Sequence, residues 1–154
     1  MGLPTIEHDR GSYRFNTNGL WCDYCRFQEL VAGSWKINFS NISEYEEAAS
    51  LYSGDYLKGE DFYWSEHNRQ MLKDQFISLL LEIAGYYKNV GNHHKSTEWL
   101  RLGLLQEPLH RELNYKLIEV LVRINDLITA NHYYKIYRSE LKRKMRGRNR
   151  MKVL

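Results

Sequence analysis

Three short stretches carry side chains that could do chemistry: WCDYC at 21–25, SGDYLKGEDFYW at 53–64 and GNHHKSTE at 91–98. Cys22 and Cys25 have the C-x-x-C spacing of half a zinc site or of a redox pair. Zinc needs two more ligands, and neither a second C-x-x-C nor an H-x-x-x-H occurs. Redox work needs a thioredoxin-like βαβ setting, so both thiols are expected on the first turn of a helix. Gly54 and Gly59 have the glycine spacing of a phosphate loop. Glu60 and Asp61, however, stand where Lys and Ser/Thr are needed, and carboxylates repel phosphates. His93 and His94 are adjacent. On a helix, neighbours point about 100° apart, so the two cannot chelate one ion together. His94 and Glu98 share a face but supply only two ligands. No nucleophile elbow and no H-E-x-x-H appears. These residues assign no catalytic group, no metal and no cofactor, and the chain does not read as an enzyme.

The elements that carry these stretches must then be mainly structural. With 154 residues, 43% of them hydrophobic, the chain is one domain's length and can bury a core. Two Pro and ten Gly argue against a loop-rich or disordered chain. No apolar run reaches the roughly 18 residues of a membrane span, and MGLPTIEHDRG lacks the apolar centre of a signal peptide, so a cytoplasmic protein is expected. The net charge of +3 hides a split: LKRKMRGRNRMK carries seven of the 22 basic residues and none of the 19 acids. The remainder is acidic, and the basic end is a candidate contact for nucleic acid or an acidic partner, or else a solvated, frayed terminus.

Along the chain, Thr5–Glu7 and Tyr13–Phe15 read as strands joined by HDRG. DYCRFQELVAG reads as a helix capped by Asp23 and ended by Gly33. Ser43 and Glu46 have capping-box spacing ahead of Ala48, Ala49, Leu51 and Tyr52. Residues 62–90 read as one long helix, with Leu72, Phe76, Leu79, Leu80, Ile83 and Tyr87 recurring at three and four. Gly91 ends it. A second helix stops at Pro108, and RELNYKLIEVLVRIN and LITANHYYKIYRSELKRKM supply two more.

The helices come in pairs, which suggests a repeat. A 34-residue, tetratricopeptide-type unit begun at Ile77 places Leu80, Ile83, Ala84 and Tyr87 on its first helix and Gly91 at its turn. Ser96, Leu100 and Gly103 fall on its second helix, and Pro108 closes it. Moved forward one period, the pattern meets Asn114, Leu117, Ile118 and Leu121, then Asn125, Ala130, Tyr134 and Tyr137. Pro108 has no second copy, because Lys142 takes that place. The expected fold is all-α: a tetratricopeptide-like array of about six helices with a short N-terminal β-hairpin. His93 and His94 then belong to a helix corner. The unit's geometry puts Ser78, Leu81, Lys88 and Asn89, then Glu112, Tyr115, Glu119 and Arg123, on the face open to a partner. That mixture suits a polar peptide or a small anion.

Several landmarks occur in one order: GSYRF, WCDYCRFQEL, LYSGDYLKGEDFYWSEHNRQML and EPLHRELNYKLIEVL. Together they resemble the bacterial transcriptional activator domain over roughly residues 20–146. The sharpest piece is Tyr52, Gly54, Asp55, Leu57 and Gly59, followed by Trp64 and Arg69. Tyr52, Asp55, Trp64 and Arg69 are expected to lock the loop between cap and long helix by stacking and a charged hydrogen bond. The resemblance implies the helical effector module of antibiotic-type regulators and of some multidomain response regulators. In that family the module follows a winged-helix DNA-binding domain, and TIEHDRGSYRFNTN is similar to the last hairpin, or wing, of one. The expected division is therefore 1–20 as a remnant of the wing, 21–146 as the activator module and 147–154 as a basic tail. The chain would be a fragment of a longer regulator, with a phosphorylatable receiver of two-component type as a further upstream element.

The implied partners are the parent's own winged-helix domain, DNA through that domain, a second copy in a homodimer, and RNA polymerase; no membrane partner is expected. The competing readings are a peptide-binding adaptor unrelated to DNA and direct nucleic-acid binding by the basic end. The wing-like RGSYRF favours the regulator, because an adaptor does not need it.

Overall fold

The computed structural model describes residues 6–15, 21–32, 36–54 and 63–151. Among them an N-terminal hairpin, β1 (Ile6–Asp9) and β2 (Ser12–Phe15), precedes six helices. The strands pair antiparallel with Ile6 opposite Phe15 and Asp9 opposite Ser12. Arg10 and Gly11 alone make the turn, with φ of 47° and 84°. Two consecutive positive φ values define the tight turn whose twist matches paired strands. The strands therefore run closer to the turn than HDRG suggested.

Helices α1 (Asp23–Val31) and α2 (Ile42–Leu51) form a cap on α3 (Tyr63–Asn89). Cys22, not Asp23, is the N-cap of α1: its Sγ accepts from Cys25 N at 3.3 Å, and Asp23 is the first helical residue. The Ser43–Glu46 capping box does not form either. α2 starts at Ile42 behind a turn in which Asn38 N donates to Asn41 Oδ1 at 2.8 Å, leaving Glu46 for a longer-range partner. Phe27, Ala48, Leu72, Phe76, Leu80 and Ile83 make the first core. Each large apolar side chain of this kind contributes about 1.5–3 kcal/mol on burial.

α3 is 27 residues long, roughly 40 Å at the helical rise. It is buried on two sides in its C-terminal half, because Ile77, Leu81 and Ala84 belong to a second core with Leu113, Leu117 and Leu121. Leu81 is 8% exposed, so it does not line the partner face on which the 34-residue pattern set it. A helix shared by two cores loses the one-sided periodicity that separates inward from outward positions.

The two repeat units have the same corner. After α3, Gly91 (φ 82°) donates to the Lys88 carbonyl at 3.2 Å and Asn92 donates to that of Tyr87 at 2.9 Å. After α5 (Arg111–Arg123), Asn125 (φ 60°) donates to the Val122 carbonyl at 3.0 Å and Asp126 to that of Leu121 at 2.9 Å. Both are paired-bond helix stops with a left-handed residue, a conformation that only Gly, Asn and Asp adopt readily. The next helix then starts on the same cap. Asn92 Oδ1 accepts from Lys95 N at 3.1 Å for α4 (His93–Gln106), and Asp126 Oδ1 from Thr129 N at 3.1 Å for α6 (Leu127–Met151). Every pair of equivalents lies 34 positions apart.

Small residues sit where helices cross. Ser96 Oγ donates to the Ala84 carbonyl at 2.8 Å, and both residues are 1% exposed. At Gly103 a β-carbon would lie 2.7 Å from Leu113 Cδ1, so only glycine lets α5 come this near α4 without a shift. Asn114, at the position of Leu80 in the first unit, is buried. It donates to the Pro108 and His110 carbonyls, each at 2.9 Å, closing the α4–α5 connection. Where Pro108 has no copy, the last helix does not stop: α6 continues through Met151, so the basic run extends a helix.

Candidate functional site

The face drawn from the sequence is built on the C-terminal halves of α3 and α5. Its central feature is an ion pair between them, Lys88 Nζ to Glu119 Oε1 at 3.1 Å. Asn89 and Arg123 are the last residues of their helices, are both exposed, and are repeat equivalents. Tyr115 lies one turn before Glu119 and is 57% exposed. The Arg111 guanidinium stands 5.5 Å from its ring centre, a cation–π arrangement, and Tyr137 of α6 meets it edge-on at 6.3 Å. Thus Lys88 and Glu119 touch, Asn89 and Arg123 close the end of the same face, and Tyr115 turns toward α6. Glu112 is engaged by Lys116 at 3.1 Å, and Ser78 lies near the middle of α3, lining an open groove of about 440 Å³ with His67 and Asp74.

Of the signature residues, Tyr52, Gly54 and Arg69 are among those described. The half-buried ring of Tyr52 stacks on Phe76 at 4.1 Å and 11° and lies 6.4 Å from Phe27, joining α1, the end of α2 and α3. Gly54 has φ 142°, a conformation that side chains rarely adopt. Arg69 pairs with Glu66 at 2.7 Å and donates to Ser65 Oγ at 3.4 Å, all within the start of α3. Asp55, Gly59 and the side chain of Trp64 lie outside the described residues.

A polar cluster between cap and repeats escaped the sequence reading. The buried Tyr87 donates its hydroxyl to Glu46 Oε1 at 2.7 Å, and Lys95 Nζ donates to that hydroxyl at 3.0 Å and to Glu46 at 3.3 Å. Burial pushes the Tyr87 phenol up, while the Tyr87 hydrogen bond holds the Lys95 ammonium above its ordinary value. The three come from α2, α3 and α4, and Tyr87 and Lys95 meet because the Gly91 corner folds α4 back on α3. No local spacing in the sequence reports such a meeting.

The chemistry-bearing stretches have become corners and caps. Cys22 and Cys25 are free thiols at the start of α1, and hydrogen bonding to Cys22 pushes the Cys25 thiol up, away from a reactive thiolate. His94 Nδ1 lies 3.5 Å from Glu98 Oε1, on the surface. His93 and His94 line an open cleft of about 660 Å³ between the two corners, with Thr97, Arg101 and Asp126. Among the described residues no three His, Cys, Asp or Glu side chains are grouped to hold a metal, and no helix is long and apolar enough to cross a membrane.

The family model described as bacterial transcriptional activator domain matches residues 22–149, from the cap of α1 nearly to the end of α6. No curated protein and no solved structure matches the chain.

Proposed function

This chain belongs to the bacterial transcriptional activator domain family, and from that premise we propose that it couples a signal to an adjacent winged-helix DNA-binding domain through protein–protein contacts. The family is one of regulatory modules, not enzymes. The observation that carries the proposal is the α3–α5 face. Two helices from successive units are tied by Lys88 and Glu119, and they present Asn89 and Arg123 from equivalent ends. Stacked helix pairs offer such rigid, extended surfaces to partner segments or domains. An exposed ion pair contributes at most about 1 kcal/mol, so a partner can exchange it for its own charges at little cost.

In this reading the β1–β2 hairpin is the wing of the DNA-binding domain, and the tight Arg10–Gly11 turn is its tip. The module then begins at α1, within a short chain distance of the wing. The test is DNA binding by a protein with a winged-helix domain fused ahead of Thr5. Preference for one DNA sequence that persists as salt is raised supports the proposal. Uniform binding that salt abolishes for every sequence removes its main support.

A further inference from the structure

Lys135, Arg138, Lys142 and Arg146 of α6 recur at three and four residues and form one stripe along the helix. All four are exposed, and none has an ion-pair partner among the described residues. The helix's one acid, Glu140, is turned to Arg143 at 2.7 Å. Beside this stripe runs an apolar seam, Tyr134, Tyr137, Leu141 and Met145, in which Tyr134 is 49% and Met145 66% exposed.

The internal repeat shows what such a surface does when it is covered. In the first unit Leu81 and Leu100 are 8% and 1% exposed, because they lie in one core with Leu113 and Leu117 of α5. Thirty-four positions on, Tyr115 and Tyr134 are 57% and 49% exposed. The seat is not a copy of the first. Tyr137 replaces Gly103, and its ring lies against Tyr115, so a covering helix rests on tyrosine rings rather than close against backbone.

We propose that this end of the array docks an acidic amphipathic helix of a partner protein. The seam takes the apolar side of that helix, and the basic stripe takes its carboxylates. Tyr and Arg are the residue types that anchor protein interfaces. Charge decides against the other occupants. α6 carries eight Lys and Arg against a single Glu, so a second copy laid α6 on α6 brings like charges together. A DNA duplex satisfies the stripe but leaves the seam in water.

The test uses the full 154-residue chain and a fluorescent helical peptide with leucines at the spacing of Leu113, Leu117, Val120 and Leu121 and glutamates on its flanks. A scrambled peptide of the same composition and a DNA duplex are the controls. The peptide is expected to bind at least about tenfold more tightly than its scramble, with about tenfold lost on Arg138→Glu with Lys142→Glu. Tyr134→Ser is expected to weaken it while circular dichroism stays unchanged. Equal binding of peptide and scramble, indifference to the charge reversal, or stronger binding of the duplex to the same stripe would overturn the proposal. So would a dimer in sedimentation that Tyr134→Ser abolishes.

Discussion

The Ser96 hydroxyl donates to the Ala84 carbonyl at 2.8 Å, across the crossing of α3 and α4, with both residues out of solvent. A small residue on each helix permits the approach, and the hydroxyl satisfies itself on the opposing backbone. Ser96→Ala removes one buried hydrogen bond and is expected to cost about 1 kcal/mol. Ser96→Leu has no room and is expected to cost about 1–3 kcal/mol through overpacking. Urea unfolding checks both. A Leu variant as stable as the wild type would mean that the helices do not cross closely here.

The next crossing makes a different demand. Gly103→Ala would gain about 1 kcal/mol of helix propensity, but its β-carbon would meet Leu113 Cδ1 at 2.7 Å in a fully buried site. Overpacking of about 1–3 kcal/mol outweighs the gain. Leu113→Ala alone is expected to cost about 2–5 kcal/mol. In the double variant the losses should not add, because shortening Leu113 frees the space that the added methyl group needs. A double-mutant cycle by chemical denaturation measures that coupling.

The Glu46–Tyr87–Lys95 cluster gives stability a pH dependence with a definite sign. Burial raises the Tyr87 phenol, and the Tyr87 hydrogen bond raises the Lys95 ammonium. Both groups therefore hold their protons more tightly folded than unfolded. Their contribution is complete below the unfolded values, near pH 10 for both groups, and is lost as pH rises through the folded values. Stability is expected to fall above about pH 10, and Tyr87→Phe should flatten that fall. Thermal melts from neutral to alkaline pH test this; an equally steep fall in Tyr87→Phe would contradict it.

Tyr52 stacks on Phe76 at 4.1 Å and approaches Phe27, which places it between the cap helices and α3. Tyr52→Ala is expected to loosen α1 and α2 before the repeats, raising amide exchange in Asp23–Val31 while Leu113–Leu121 keeps its protection. Equal changes in both segments would show that cap and repeats unfold as one unit.

Helices and their ends were largely legible in the sequence, because Gly91, Pro108 and the three-and-four spacing of large apolar residues act locally. The 34-residue period was legible for the same reason: Gly91 and Asn125 each suit a left-handed stop. What lay beyond reading was decided by tertiary neighbours. Leu81 looks like a face residue until α5 covers it. Glu46 looks like half of a capping box until Tyr87 and Lys95 claim its carboxylate. Of the expected partner face, Lys88 and Glu119 meet as an ion pair and Asn89 and Arg123 end α3 and α5, whereas Tyr115 meets the ring of Tyr137, which stands where the first unit has Gly103.

The most direct test of a regulatory α3–α5 face is transcript yield from a promoter bound by the winged-helix fusion, comparing wild type with Asn89→Asp and Arg123→Glu combined. Both residues are exposed, so the fold should be kept, with up to about 1 kcal/mol lost for each acid placed at a helix C-terminus. Yield is expected to drop at least about fivefold at the same DNA affinity, the size of an ordinary coupling between sites. Unchanged yield from the folded, DNA-bound variant would contradict a role for this face in activation.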